Sequence, residues 1–194
     1  MRITSGKFKN KKIDSKLAGN KQPTFRPTQS KIRAAIFNKL NFSRIAFEGG
    51  INGLNIMDLF CGCGTFGLEA LSRNAAHIMF VDKVFDNINL TKKNVSTFGA
   101  TEQCDLLCTD VTKMIPNRKS SVYDVVYMDP PYHNNGLVYK SLEALNVGNW
   151  LAAECIIIIE VATKQKLVLP EAFSLLEECV YGASKVLYVE KTGN

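Results

Sequence analysis

Four acidic residues stand at or near the ends of short apolar runs: Asp58 in NIMDLF, Asp82 in HIMFVD, Asp110 in DLLCTD and Asp129 in YDVVYMD. The first run flows into DLFCGCGTFG, where Gly62, Gly64 and Gly67 form a G-x-G-x-x-G pattern. Glycines there permit a tight turn and let a ligand approach the backbone beside a helix N-terminus. Asp82 follows Gly62 by twenty residues, the spacing at which an acid binds ribose hydroxyls in a dinucleotide site. Asp58 argues against a pyrophosphate, because its charge precedes the glycine turn. A cationic amino-acid ligand suits it better. Plainer uses exist too: Asp58 as a loop cap, Asp110 as a helix N-cap. The fourth run ends in DPPY, residues 129–132. Neither proline can donate to a ladder, so the strand must end there. A dinucleotide site has no use for a carboxylate, two stiff residues and an aromatic ring at that point.

Such acids work together only if a sheet brings its strand ends to one edge. Apolar runs at 55–60, 77–82, 105–110, 123–129 and 155–161 read as strands, and 66–74, 85–98 (closed by Gly99) and 136–146 as helices. Alternation of this kind means a mostly parallel, doubly wound α/β sheet covered on both faces. Its ligands bind beyond the carboxyl ends of the strands. Residues 174–191 hold two strand-like runs around YGAS, an antiparallel hairpin at the end. Ahead of the sheet, RITSGKFKNKKIDSK reads as a short basic hairpin with Ile3 and Ile13 flanking its turn. PTQSKIRAAIFNKL then starts a helix that Thr28 can cap, with Ile32, Ile36 and Leu40 on one face. The glycine-rich EGGINGL divides this extension, residues 1–50, from a main domain, 51–194.

The chain's 194 residues, 46% hydrophobic and 22% charged, suit one sizeable soluble domain. No apolar run is long enough to span a bilayer, and no apolar stretch follows the basic start, so a cytoplasmic enzyme is expected. The six cysteines lack a zinc-like spacing and have only His77 and His133 beside them. They read as buried small hydrophobes, and no metal is expected. His133, in HNNG, reads as solvated. Residues 1–50 carry twelve Lys and Arg against Asp14 and Glu48, whereas the rest is slightly acidic. A basic segment on an acidic body fits contact with a polyanion such as nucleic acid, or a merely solvated arm.

DLFCGCGTFGLEALSR resembles the S-adenosylmethionine loop of class I methyltransferases, and DPPY on the fourth strand resembles the variety that methylates exocyclic amino groups. Nearly the whole chain, from RITSGKFKNKKI through FRPTQSKIRAAIFNKL to the terminal hairpin, resembles the RsmD family of bacterial 16S ribosomal RNA guanine-N2 methyltransferases. It departs in having Cys61 and Cys63 where alanine and serine are common, Asp82 where Glu is common, and Val84 where an acid is common. The resemblance implies a Rossmann-like fold with S-adenosylmethionine as cofactor. Asp58, Phe60, Gly62, Gly64 and Gly67 would surround its methionine end, Asp82 would take both ribose hydroxyls, and Asp110 the adenine amino group. The Asp129 side chain and the Pro130 carbonyl would accept from the target amino group. Tyr132 would stack on the extruded base, Pro131 would line its pocket, and Arg26 of R-P-T would hold RNA. The implied partner is 16S rRNA within a partly or fully assembled small subunit, met by a monomer and no membrane. A DNA adenine-N6 methyltransferase shares DPPY, but such enzymes usually add a target-reading domain that a basic arm of 50 residues does not provide. A nicotinamide oxidoreductase and a non-catalytic assembly factor are readings of other classes.

Overall fold

The computed structural model describes residues 1–16, 28–42, 47–117, 121–131 and 135–192. Arg26, Tyr132 and His133 lie outside the described residues, as does the side chain of Thr28 with its expected cap. In chain order the elements are α1 (Thr28–Phe42), β1 (Asn55–Leu59), α2 (Thr65–Ser72), β2 (His77–Asp82), α3 (Phe85–Phe98), β3 (Cys104–Cys108), β4 (Tyr123–Met128), α4 (Asn135–Val147), β5 (Leu151–Ala162), β6 (Phe173–Tyr181) and β7 (Ser184–Lys191).

The strands form one seven-stranded sheet in the order β3-β2-β1-β4-β5-β7-β6. The first five run parallel, and β7 enters antiparallel between β5 and β6. Isoleucine, valine and methionine fill β1, β4 and β5 because these central strands are covered on both faces. Ile56, Val125 and Ile158 face a core made with α1, α2 and α3. Met57, Val126 and Ile157 face a second core made with α4. The crossing from β3 back to β4, beside β1, puts the topological switch point between β1 and β4, where doubly wound sheets bind ligands. Gly99 closes α3 in the left-handed region, φ 66°, as a helix end requires.

Three elements differ most from expectation. β3 stops at Cys108 rather than Asp110, because Asp110 caps a 3-10 turn, Val111–Lys113. β5 begins at Leu151, and Asn117 and Trp150 tie its start to the preceding loops. The basic hairpin shrinks to one isolated antiparallel bridge, Arg2 to Lys12. Its residues are nevertheless packed: Ile3 and Ile13 are buried in the same core as Ile32, Ile36, Phe37 and Leu40 of α1 and Leu68 of α2. The glycine-rich link at 48–54 therefore separates spans of sequence that share one core. Buried Glu69 of α2 accepts from the Thr4 and Ser5 backbone N–H groups and from the Thr4 hydroxyl, and pairs with Arg33 and Arg73. Among the described residues no helix is long and apolar enough to cross a membrane.

Candidate active site

The carboxyl ends of β1, β4 and β5 open into a cavity of about 120 Å³ lined by Asp58, Phe60, Cys61–Cys63, Phe66, Tyr127, Asp129, Glu160 and Arg33 of α1. The register explains the gathering. Asp58 pairs with Tyr127, and Tyr127 with Ile158. Paired residues of parallel strands share a face, and so do residues two apart. Asp58, Tyr127, Asp129 and Glu160 thus point to the side covered by α1 and α2.

The glycine loop is shaped by left-handed backbone at Phe60 (φ 57°), Gly62 (56°) and Gly64 (76°). A non-glycine residue held at positive φ, as Phe60 is, costs of order 1–3 kcal/mol, and such strain clusters at ligand sites. Elements around the loop hold it in place. The Thr91 hydroxyl donates to the Gly62 carbonyl (2.8 Å), and Asn94 donates to that of Cys63 (3.0 Å). Gly67 serves packing: a Cβ there would lie 2.3 Å from the Phe80 ring, so α2 rests directly on β2. Gly62 lines the cavity; Gly64 and Gly67 do not. Cys61 and Cys63 are buried, and burial pushes the Cys63 thiol up to about 12. Both act as small apolar residues of the loop.

Asp58 is 2% exposed. Its Oδ2 accepts from the Gly67 N–H (2.9 Å), so it does cap the first turn of α2. Burial pushes its carboxyl up to about 8; the Gly67 N–H and Arg33 oppose the rise, while Asp129 and Asp82 add to it. Burial also raises Asp129, with repulsion from Glu160 adding to the effect. Burial raises Glu160 as well, and the Tyr127 and Ser184 hydroxyls draw it back. Three acids crowded around one cavity make one another costly to ionise, so a cationic ligand that lets them carry their charge would be favoured there.

Asp82 is heavily occupied. Its Oδ1 accepts from the Val84 N–H (2.9 Å), and its Oδ2 from the Gly62 N–H and the Asn87 amide (both 3.0 Å). A carboxylate has about four acceptor sites, so one remains. Two ribose hydroxyls on Asp82 would require Asn87 to leave it. Asp110 is the N-cap foreseen as its plainer use: Oδ1 accepts from the Thr112 N–H (3.0 Å) and hydroxyl (2.8 Å), and the side-chain bond from Thr112 is the main cause that holds its pKa down. Pro130 is buried and Pro131 exposed.

Sequence reasoning missed Glu160, Tyr127, Phe66 and Arg33. Phe37, Phe66 and Tyr127 stack in a row, with ring centroids 4.7 and 3.9 Å apart, and the Tyr127 hydroxyl donates to Glu160 Oε2 (2.9 Å). The available signal was Glu160 near the end of the fifth apolar run, as acids stand at or near the ends of the first, second and fourth. The basic turn is anchored elsewhere: the Lys7 N–H donates to the Ser72 carbonyl (2.7 Å), at the opposite end of α2 from the glycine loop.

A sheet of this order, with a glycine loop after β1 and acids around its switch point, is the class I methyltransferase fold. The chain belongs to the family described as conserved hypothetical protein 95, the RsmD family, whose model matches residues 1–190. A Haemophilus influenzae relative named ribosomal RNA small subunit methyltransferase D is 32% identical over 161 residues, 81% of this chain and 78% of that protein. A relative of the same name from Buchnera aphidicola is 29% identical over 176 residues, 91% of this chain and 85% of that protein. The solved yhhF protein of Escherichia coli matches with a TM-score of 0.81 at 24% identity, covering 100% of this chain and 99% of that one; this likeness speaks to fold alone. The expected family and fold class are borne out.

Proposed function

We propose that this protein transfers a methyl group from S-adenosylmethionine to the exocyclic N2 of a guanine in 16S rRNA of the small ribosomal subunit. One observation carries the reading: Asp129, heading D-P-P-Y, opens into the same cavity as the glycine loop and buried Asp58. The relatives' names supply the ribosomal RNA. The cavity suits the cofactor's amino-acid end, since burial penalises the ionised form of Asp58 and a bound ammonium would restore it. Asp58, Phe60, Gly62, Gly64 and Gly67 would hold or shape the methionine end, Asp82 with Asn87 the ribose, and Asp110, through its uncommitted oxygen, the adenine. When bound, the cofactor supplies an electrophilic methyl group on a sulfonium.

The protein's own work is on the nucleophile. The lone pair of an aromatic amino group is delocalised into the ring, and acceptors out of the amino plane draw the nitrogen towards a tetrahedral shape. The Asp129 side chain and the Pro130 carbonyl are those acceptors. The prolines turn that carbonyl away from a ladder, and the burial of Pro130 keeps the site dry. Pro131 lines the base pocket, Tyr132 supplies a stacking face, and Arg26 meets an RNA phosphate. No strong base is required, because the methylated nitrogen loses its proton readily; catalysis rests on alignment. Residues 1–50 form the RNA-contacting extension and 51–194 the catalytic part of a cytoplasmic monomer. The substrate is a partly or fully assembled subunit, since the arm alone is too small to read an RNA site. Incubating small subunits with labelled cofactor, digesting the RNA and separating the nucleosides tests this: the label should run as N2-methylguanosine. Label in N6-methyladenosine or N4-methylcytidine overturns the choice of base.

A further inference from the structure

Glu160 is 2% exposed and lines the cavity beside Asp129. Its Oε2 is taken by the Tyr127 hydroxyl; its Oε1 is buried and makes no hydrogen bond of good geometry, the nearby Ser184 hydroxyl acting on the carboxylate without satisfying that atom. A buried acceptor left open is costly, and natural structures rarely tolerate one without a use. The pairing of Met128 with Ile159 makes Asp129 and Glu160 the next residues on neighbouring strands, facing the same side. The cavity therefore presents two acceptors side by side, one from each strand end.

That pair discriminates among bases. Adenine carries its amino group beside an acceptor, N1, and cytosine beside an acceptor, N3. Guanine alone carries its amino group beside a donor, N1–H. An acceptor pair matches two adjacent donors, whereas against adenine or cytosine the second acceptor would face a ring lone pair. We propose that Glu160 Oε1 accepts the N1–H of the target guanine while Asp129 accepts from N2, so that Glu160 selects guanine; this rests on the methyl-transfer reading above. The Tyr127 hydroxyl, donating to Oε2, fixes the carboxylate plane and favours its charged form. Phe66 and Phe37, stacked behind Tyr127, stop that ring from turning.

The test uses reconstituted small subunits carrying either guanine or 2-aminopurine at the methylated position. 2-Aminopurine keeps the amino group but has an acceptor at N1. The wild type should prefer guanine by roughly 10–100-fold in kcat/KM, the range for mismatching one buried polar group. Glu160→Gln has nearly the same shape, and its oxygen can still accept from Tyr127, which turns the amide N–H towards the base. That variant should lose or reverse the preference while calorimetry finds its cofactor affinity within about threefold of wild type, an allowance well inside one tenfold step of binding energy. An unchanged preference in Glu160→Gln, or a loss of cofactor affinity that matches the loss of activity, overturns the assignment and makes Glu160 a cofactor ligand or a packing group. A wild type that forms no N2-methylguanine on the all-guanine particle instead overturns the underlying methyl-transfer reading.

Discussion

Asp58→Asn should make the unliganded protein more stable at neutral pH and bind cofactor less well. Asparagine is nearly isosteric, and its Oδ1 can still accept from the Gly67 N–H that Asp58 now holds at 2.9 Å. What changes is charge. Burial pushes the Asp58 carboxyl up to about 8 in the folded protein, from the 3.8 usual for aspartate. A carboxyl raised on folding is protonated more readily in the folded state, so stability falls as pH rises from the unfolded pKa to the folded one. Each pH unit inside that window costs the wild type up to about 1.4 kcal/mol. Between pH 5 and 7.5 the full slope amounts to about 3 kcal/mol, and relaxation of the site should leave about 2 kcal/mol. Asparagine pays none of this. Urea unfolding without cofactor should show the variant already ahead at pH 5, which lies inside that window, and its lead growing by about 2 kcal/mol by pH 7.5. Calorimetry at pH 7.5 should show cofactor affinity lower by about 1.5–3 kcal/mol, the scale for a hydrogen bond to a charged group. A wild type more stable than Asp58→Asn at pH 7.5 would mean that Asp58 already has a compensating partner and is not held for a ligand.

Asp129→Ala should bind cofactor almost as well as wild type yet lose methyl transfer by orders of magnitude, because its acceptor acts on the nucleophile; single-turnover assays at saturating cofactor check this, and wild-type turnover would refute it. Gly67→Ala drives a methyl group into Phe80 and Ile78 and should lower stability by about 1–3 kcal/mol, read as a lower urea midpoint; an unchanged midpoint would show that α2 can lift off β2 freely. Replacing exposed Lys7, Lys9 and Lys12 together with Gln should leave the Ile3 and Ile13 packing intact and flatten the salt dependence of RNA binding, by about 2 in the log–log slope if all three contact phosphates. An identical slope would mean that the basic turn at the far end of α2 only meets solvent.

The order of strands and helices was legible because each parallel strand is an apolar run closed by turn residues, with Asp58, Asp82 and Asp129 within one residue of the ends of β1, β2 and β4. The contribution of the fifth strand to the cavity was not. Glu160 sits in CIIIIEV, where four isoleucines announce a buried strand and one acid has no spacing partner. Its meaning comes from the lateral register that sets it beside Asp129. The same holds for Arg33, which reads as one more charge in a basic segment until packing places it in the cavity at 5% exposure. Asp110 was misjudged as the end of a strand, since the local bond to Thr112 outcompetes the ladder. The basic hairpin could be read as merely solvated because its lysines outweigh its two isoleucines, yet Ile3 and Ile13 carry it into the core.

Nucleoside mass spectrometry of small-subunit RNA from cells with and without this protein tests the central claim most directly. The account predicts that N2-methylguanosine at one position disappears when the protein is absent and returns when it is restored, but not when it is restored as Asp129→Ala. Unchanged N2-methylguanosine in its absence, with another methylated nucleoside lost instead, would contradict it.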